Sequence, residues 1–247
     1  MRDNYWYVTA YFVLFLFLPV LNSAVSHLDK RQFAIFLMGM TLFTMGATVY
    51  DPCFGGGYSA LWLMLLYLLG AYIKLYVPKN CITIAKGLLL YILCVFITWG
   101  WRYGMEMIAY PITGYTYRPN LLTNYISPTI VGAAVFLLLA FRQIHVKSDR
   151  AQRVIYRVGG LAFSVYLIHT NPAVFRYIMK DNFIFLTEGS VQYLLCGILL
   201  CAVAIFVVCI AMDVVREQLF RWLHVNEMCD RAAQWGVRKA KALADRL

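Results

Sequence analysis

The sequence predicts an all-α protein: a polytopic transmembrane helix bundle of about seven spans, with its N-terminus outside and its C-terminus in the cytoplasm. Three observations predict it. Of the 247 residues, 62% are hydrophobic and 14% are charged, whereas a soluble domain carries about 25% charged residues. The apolar residues are gathered in long runs, and Lys and Arg are distributed unequally between the connections. The polar residues are too few to cover the surface of a water-soluble protein. Part of the surface must therefore face lipid.

Seven apolar runs are long enough, or nearly so, to cross a membrane, since about 20 helical residues span the hydrocarbon core. In chain order these runs are residues 5–25, 33–49, 60–76, 82–108, 125–143, 154–178 and 190–215. The connections between them carry helix breakers and charges, such as Asp51 and the glycines at 55–57. The pattern predicts seven membrane helices joined by polar connections, one of which, residues 109–124, is longer than the others.

The distribution of basic residues orients the bundle. With the N-terminus outside, 17 Lys and Arg residues fall in cytoplasmic connections and the tail, and 5 fall outside. Cytoplasmic loops of membrane proteins carry this excess. The prediction is a transmembrane domain at residues 1–215, followed by a basic cytoplasmic amphipathic tail at residues 216–247.

The tail has one moderately apolar helical face. Met228, Ala232, Trp235 and Leu243 fall near it, and Lys239 lies there as well. Two interpretations stay open: an interfacial helix held by anionic membrane lipid, or a solvated helical tail.

The spacing of basic residues, cysteines and histidines argues against nucleic acid and metal ions as partners. The net charge of +10 does not indicate nucleic acid, because the basic residues are separated by long apolar runs and form no continuous stripe. The cysteines and histidines show no CxxC pair and no zinc-ligand spacing. We therefore expect no metal site.

Ionisable residues inside apolar runs are costly and are candidate functional groups. Arg102 and Glu106 lie four residues apart, so they share a helix face and can pair; a structural ion pair and a substrate clamp are both open. Lys86, Arg157 and Asp213 lie near cytoplasmic helix ends, where we expect their side chains to reach the interface.

His169 is the most suggestive residue of the chain. It lies about 15 residues into the sixth predicted helix, hence roughly 22 Å along the axis. Asn171 and Pro172 follow, and proline removes a backbone hydrogen bond and loosens the helix there. The histidine is either a general base toward a hydroxyl or a buried side chain that hydrogen-bonds a neighbouring helix.

Four stretches carry a family resemblance, and they occur in a characteristic order. They are Tyr-Trp-Tyr-Val-Thr-Ala-Tyr at 5–11, Gly-Gly-Tyr-Ser-Ala-Leu-Trp at 56–62, Ser-Pro-Thr-Ile at 127–130, and Val-Tyr-Leu-Ile-His at 165–169 with Asn171 and Pro172 after it. Together they resemble the acyltransferase 3 family of bacterial carbohydrate O-acyltransferases. The resemblance covers about residues 5–172.

This resemblance implies a multi-pass enzyme of the bacterial cytoplasmic (inner) membrane. Such an enzyme transfers an acyl group, commonly acetyl, from acyl-CoA to hydroxyls of a surface polysaccharide or its lipid-linked precursor. Acyl-CoA (acetyl-CoA) would be the donor substrate and a carbohydrate the acceptor, as in exopolysaccharide biosynthesis. A different class of function stays open: a non-catalytic transporter or flippase-like component for glycan intermediates.

The chain also departs from the family pattern at its start. In the family, about three helices precede the Trp-Tyr segment and carry the catalytic histidine, whereas this segment begins four residues after Met1. The resemblance implies an N-terminally truncated member with little activity by itself, and a separate N-terminal fragment as a candidate partner. No catalytic residue is assigned. The candidate cavity-lining residues are His169, Asn171, Arg102, Glu106, Tyr58 and Trp6.

Overall fold

The computed structural model describes residues 5–51, 53–116, 118 and 120–244, with side chains described as far as residue 239. These residues form helices and turns, and no strand occurs among them, so the predicted all-α class is confirmed. The chain divides into two compact units, Met1–His145 and Val146–Leu247.

The described residues of the first unit form six α-helices. They are α1 Trp6–His27, α2 Lys30–Ala47, α3 Ala60–Tyr76, α4 Ile84–Tyr103, α5 Tyr110–Thr113 and α6 Pro128–Phe141. A π-helical segment, Gly104–Ala109, joins α4 to α5. Side chains of Asp29, Ser59 and Thr83 accept hydrogen bonds from amides of the first turns of α2, α3 and α4, which satisfies donors that a helix start leaves unpaired.

Small residues let α4 and α6 approach each other closely. A Cβ at Gly87 would lie 2.9 Å from the Cβ of Ala140, so only glycine fits there. Membrane helices commonly pack through such small residues, because van der Waals contact drives their association. The end of α6 is tied to α3 by Arg142, whose guanidinium donates to the carbonyl oxygens of Ile73 at 3.1 Å and Val77 at 3.3 Å.

The second unit is built on two long helices that pack on each other. Its elements are α7 Asp149–His169, α8 Pro172–Val174, a π-helical segment Phe175–Met179, a 3-10 segment Ile184–Glu188, α9 Val191–Trp222 and α10 Val225–Ala244. Ser148 caps α7 and Ser190 caps α9 through hydrogen bonds to backbone amides.

Three helices are long and apolar enough to span a membrane: Trp6–His27, Ile84–Thr113 and Val191–Trp222. A fourth is added if Asp149–His169 and Pro172–Glu188, bent by 62°, count as one broken span. Ala60–Tyr76 and Pro128–Phe141 are shorter apolar helices. These counts concern the described residues; the seven spans and the orientation of the two ends stay predictions.

The sixth predicted span was wrong as one continuous helix over 154–178. Helix α7 begins earlier, at Asp149, and ends at His169. Asn171 takes an extended ψ of 131° because the ring of Pro172 disfavours the helical region for the residue before it. Pro172 was expected to loosen the helix, whereas in the structure helix α7 ends before this proline.

The last predicted span also differs in length. Helix α9 continues past Val215 to Trp222, so the start of the predicted tail belongs to the same helix as the apolar run. The amphipathic part of the tail is the separate helix α10. The division of the chain at residue 215 stays a prediction.

Candidate functional site

A tight turn before α3 positions the first candidate side chain, Tyr58. The Asp51 carboxylate accepts hydrogen bonds from the amides of Cys53 at 3.1 Å, Phe54 at 2.6 Å and Gly56 at 2.5 Å. Gly57 has a φ of +95°, and a Cβ there would lie 2.4 Å from the Cβ of Tyr125. The glycine run therefore permits a compact turn against Tyr125.

Two of the predicted cavity-lining residues meet beside this turn. The ring centroids of Trp6 and Tyr58 lie 4.7 Å apart at an interplanar angle of 70°, and Tyr58 lies 5.2 Å from Tyr125 at 67°. Such edge-to-face contacts are a favourable arrangement of aromatic quadrupoles. They hold Tyr58 between α1 and the segment before α6.

The Trp6–Tyr58 cavity opens next to these rings and has a volume of about 430 Å³. Its walls combine aromatic and small side chains with hydroxyls. They are Trp6, Thr9, Ala10, Val13, Gly55, Tyr58, Ser59 and Ala60. A concave site with apolar walls and a few polar groups is the usual form of a small-molecule site.

Arg102 and Glu106 pair with each other, as their spacing predicts. Arg102 Nε lies 3.1 Å from Glu106 Oε1, and both side chains are about half exposed. An exposed pair of this kind is worth about 0.3–0.5 kcal/mol. The neighbouring Trp101 donates through Nε1 to the carbonyl oxygen of Arg118 at 3.1 Å.

Arg118 lines a small polar cavity in the same unit. Its guanidinium donates to the carbonyl oxygen of Val49. The cavity measures about 270 Å³ and is lined by Thr48, Val49, Arg118, Asn120, Leu121 and Asn124. The two asparagines were not singled out from the sequence, because side-chain amides in a loop carry no motif.

His169 and Asn171 lie in the second unit, at the break between α7 and α8. His169 Nδ1 lies 2.7 Å from the carbonyl oxygen of Val165, on its own helix. Since a carbonyl only accepts, Nδ1 carries the proton, and Nε2 is the basic nitrogen of the neutral ring. The ring is half-buried and lies edge-on to Tyr166 at 6.1 Å.

Asn171 has a structural role at this break. Its side-chain oxygen accepts a hydrogen bond from the amide of Ala173 at 2.9 Å and so caps α8. The histidine is therefore anchored by a bond within its own helix, and the asparagine by a bond to the next one. That the two residues line a substrate cavity stays a prediction.

Asp213 was wrongly placed by the sequence interpretation, which expected it to reach the interface. Its side chain is 2% exposed. Its Oδ1 accepts a hydrogen bond from Arg216 Nε at 2.5 Å, and the Ser164 hydroxyl of α7 also hydrogen-bonds the carboxylate. Its Oδ2 has no hydrogen-bond partner among the residues that the structure describes.

A cavity of about 520 Å³ adjoins Asp213 and Arg216. It is lined by Phe163, Ser164, Leu167, Ile168, Met212, Asp213 and Arg216. The signal in the sequence was the spacing of Asp213 and Arg216 by three residues, which places both on one helix face. Within the described part of the chain, no group of three or more His, Cys, Asp or Glu side chains is arranged to hold a metal ion.

Comparison with known proteins gave one result that bears on function. The family model of the acyltransferase 3 family, described as an acyltransferase domain, matches residues 4–213. No curated protein and no solved structure matches the chain. The family match includes the cavity beside Tyr58, the break at His169 and the buried Asp213.

Proposed function

Because the chain belongs to the acyltransferase 3 family, whose domain spans residues 4–213, we propose that it serves the transfer of an acetyl group from acetyl-CoA to carbohydrate hydroxyls. The acceptor in this proposal is a surface polysaccharide or its lipid-linked precursor. The site of action is the bacterial cytoplasmic membrane. The family match supports the general activity, which is that of a membrane acyltransferase.

The reaction itself exchanges one ester for another. The acceptor hydroxyl oxygen attacks the thioester carbonyl carbon, a C–O bond forms, and the C–S bond breaks. The hydroxyl proton leaves through a general base and ends on the CoA sulfur, so that free CoA thiol and a carbohydrate ester are the products. A base within hydrogen-bond reach of the hydroxyl speeds such a step by about 10²–10⁴.

In this proposal the Trp6–Tyr58 cavity binds the carbohydrate acceptor. A sugar ring has C–H faces and hydroxyl edges, and aromatic side chains present apolar faces of matching size. The cavity offers two such rings together with the hydroxyls of Thr9 and Ser59. The described residues bind and orient the acceptor, and the base is the histidine of the helices that precede this segment in family members.

The test is an acyl-transfer assay in vesicles. The chain is reconstituted alone and with the N-terminal three-helix part of a homologous acyltransferase, and then supplied with labelled acetyl-CoA and a polysaccharide. Label on the polysaccharide with release of CoA thiol supports the proposal. If label appears only with the added helices, those helices supply a group that the reaction needs.

Two other results would contradict the proposal. The first is the absence of label on the polysaccharide when both polypeptides are present in the vesicles. The second is movement of the glycan across the bilayer without consumption of acetyl-CoA, which would identify a transporter or flippase-like component instead.

A further inference from the structure

Helix α10 has an apolar face that the structure leaves exposed. The exposed side chains include Met228, Cys229, Ala232 and Trp235, of which Met228 is 62% exposed and Trp235 60% exposed. At about 100° per residue these four positions fall on one side of the helix. Glu227, Asp230, Gln234 and Arg238 fall on the other side.

The start of α10 is placed close to a membrane by its connection. Helix α9, a candidate membrane span, ends at Trp222, and α10 begins at Val225. The two residues between them form a turn in which His224 has a φ of +52°. The 32 residues of α9 measure about 48 Å at 1.5 Å per residue, which exceeds the hydrocarbon core of about 30 Å. The end of α9, which carries Arg216, Glu217 and Arg221, therefore lies at the level of the headgroups, and α10 begins there.

The charges of α10 are ordered along its length. Its two acidic residues, Glu227 and Asp230, lie in the first turns, where the helix dipole favours them. From residue 231 to residue 244 the sequence has four basic residues and no acidic one. The second half of the helix is therefore cationic.

Lys239 lies on the apolar side, yet its charge is accommodated. Its Nζ lies 5.6 Å from the centroid of the Trp235 ring, so the stem runs along the aromatic surface and the ammonium group reaches past it. Tryptophan and lysine side by side are the pair that commonly anchors a helix at the headgroup level.

We propose that α10 lies in the interface of the bilayer and binds anionic phospholipid. Met228, Ala232 and Trp235 enter the boundary between headgroups and acyl chains. Arg231, Arg238 and Lys239 contact lipid phosphates. Amphipathic helices with a large apolar face and Lys or Arg beside it bind membranes in this way, and each basic residue near an anionic surface adds to the affinity.

The test uses the full chain in nanodiscs, with a nitroxide label at one position of α10. Cys229 carries the label on the apolar side, and Gln234→Cys carries it on the polar side; the other cysteines are replaced by alanine. In nanodiscs that contain phosphatidylglycerol, we expect the Cys229 label to be accessible to oxygen and shielded from a water-soluble nickel complex. The label at Gln234→Cys shows the reverse.

Matched variants separate lipid contact from general disturbance. Trp235→Asp adds a charge on the apolar side and is expected to abolish the shielding of the Cys229 label. Gln234→Asp adds the same charge on the polar side and leaves the shielding in place. The shielding of the Cys229 label is expected to be weaker in phosphatidylcholine nanodiscs, which carry no net negative charge. It is also expected to be weaker at high salt, because salt screens the attraction between exposed charges.

Three results would overturn the proposal. Equal access of the nickel complex at both positions means a solvated helix. Exclusion of both reagents at Cys229 means that protein covers this face. Shielding that is independent of phosphatidylglycerol means that anionic lipid is not what binds. Hydrogen exchange of the unmodified chain tests the binding of anionic lipid without any substitution. We expect exchange in α10 to be slower with phosphatidylglycerol than without it, and equal rates would contradict the proposal.

Discussion

Asp213 and Arg216 are separated by one turn of α9, with Arg216 Nε 2.5 Å from Asp213 Oδ1. The two partners differ in environment: the aspartate side chain is 2% exposed and the arginine side chain 49% exposed. The pair thus joins a buried carboxylate to a cation at the edge of the cavity. Losing the cation and losing the carboxylate have different consequences.

Replacement of Arg216 is expected to destabilise the protein more than replacement of Asp213. Arg216→Gln leaves a buried carboxylate without its ionic partner, at a cost of about 1–3 kcal/mol. Asp213→Asn removes the buried charge and keeps a side chain of the same size. The free energy of unfolding, measured by denaturant titration in mixed micelles, gives the comparison. The double variant is expected to be more stable than Arg216→Gln alone, and the opposite order would contradict a role for the buried charge.

Gly57→Ala is expected to disturb the Trp6–Tyr58 cavity. The added Cβ would overlap with Tyr125, 2.4 Å away, and positive φ costs a residue with a side chain about 1–2 kcal/mol. Tyr125 and Tyr58 must shift, so we expect lower stability and a higher KM for the acceptor.

Gly39→Ala in α2 is the control for that change. A Cβ at Gly39 meets nothing within 4 Å, and alanine is a better helix former than glycine by about 1 kcal/mol. Stability should stay the same or rise. Equal losses in the two variants would mean that the turn at Gly57 has no special role.

Tyr58→Ala is expected to weaken acceptor binding more than catalysis. An aromatic contact contributes about 0.5–1.5 kcal/mol, which corresponds to roughly a two- to twelve-fold increase in KM. Steady-state kinetics in the vesicles that hold both polypeptides, with varied polysaccharide and saturating acetyl-CoA, measures this KM. Tyr50→Ala is the control, since Tyr50 is 79% exposed and outside the cavity lining. An effect on kcat alone would place Tyr58 in the reaction step instead of acceptor binding.

His169→Ala is expected to lower kcat by less than the 10²–10⁴ that a general base contributes. The reason is the proposed function, in which the base is the histidine of the helices that precede this segment in family members; the His169 ring is held through Nδ1 by the Val165 carbonyl of its own helix. His169→Gln should retain most of the activity. Measurement of kcat in the vesicles that hold both polypeptides is decisive, because a loss of about 10²–10⁴ in His169→Ala would identify the histidine as the base.

Several features followed directly from the residues because they depend on neighbours in the chain. The all-α class rests on long apolar runs, and the Arg102–Glu106 pair on a spacing of four. Pro172 predicted a loosened segment in the sixth predicted helix, and the structure has a break there between α7 and α8. The family resemblance, carried by four short stretches, agrees with the domain match over residues 4–213.

Other features needed residues that are distant in the chain. Trp6 and Tyr58 were each candidates, but only the packing of α1 beside the turn before α3 brings their rings to 4.7 Å. Asp213 looked like a residue at a helix end, and the packing of α7 on α9 buries it against Ser164. The sequence by itself determined the all-α class and the approximate position of most helices, because hydrogen bonding and side-chain periodicity are local. The tertiary structure decided which polar groups are buried and which rings line a cavity, because burial depends on the helix that packs against each face.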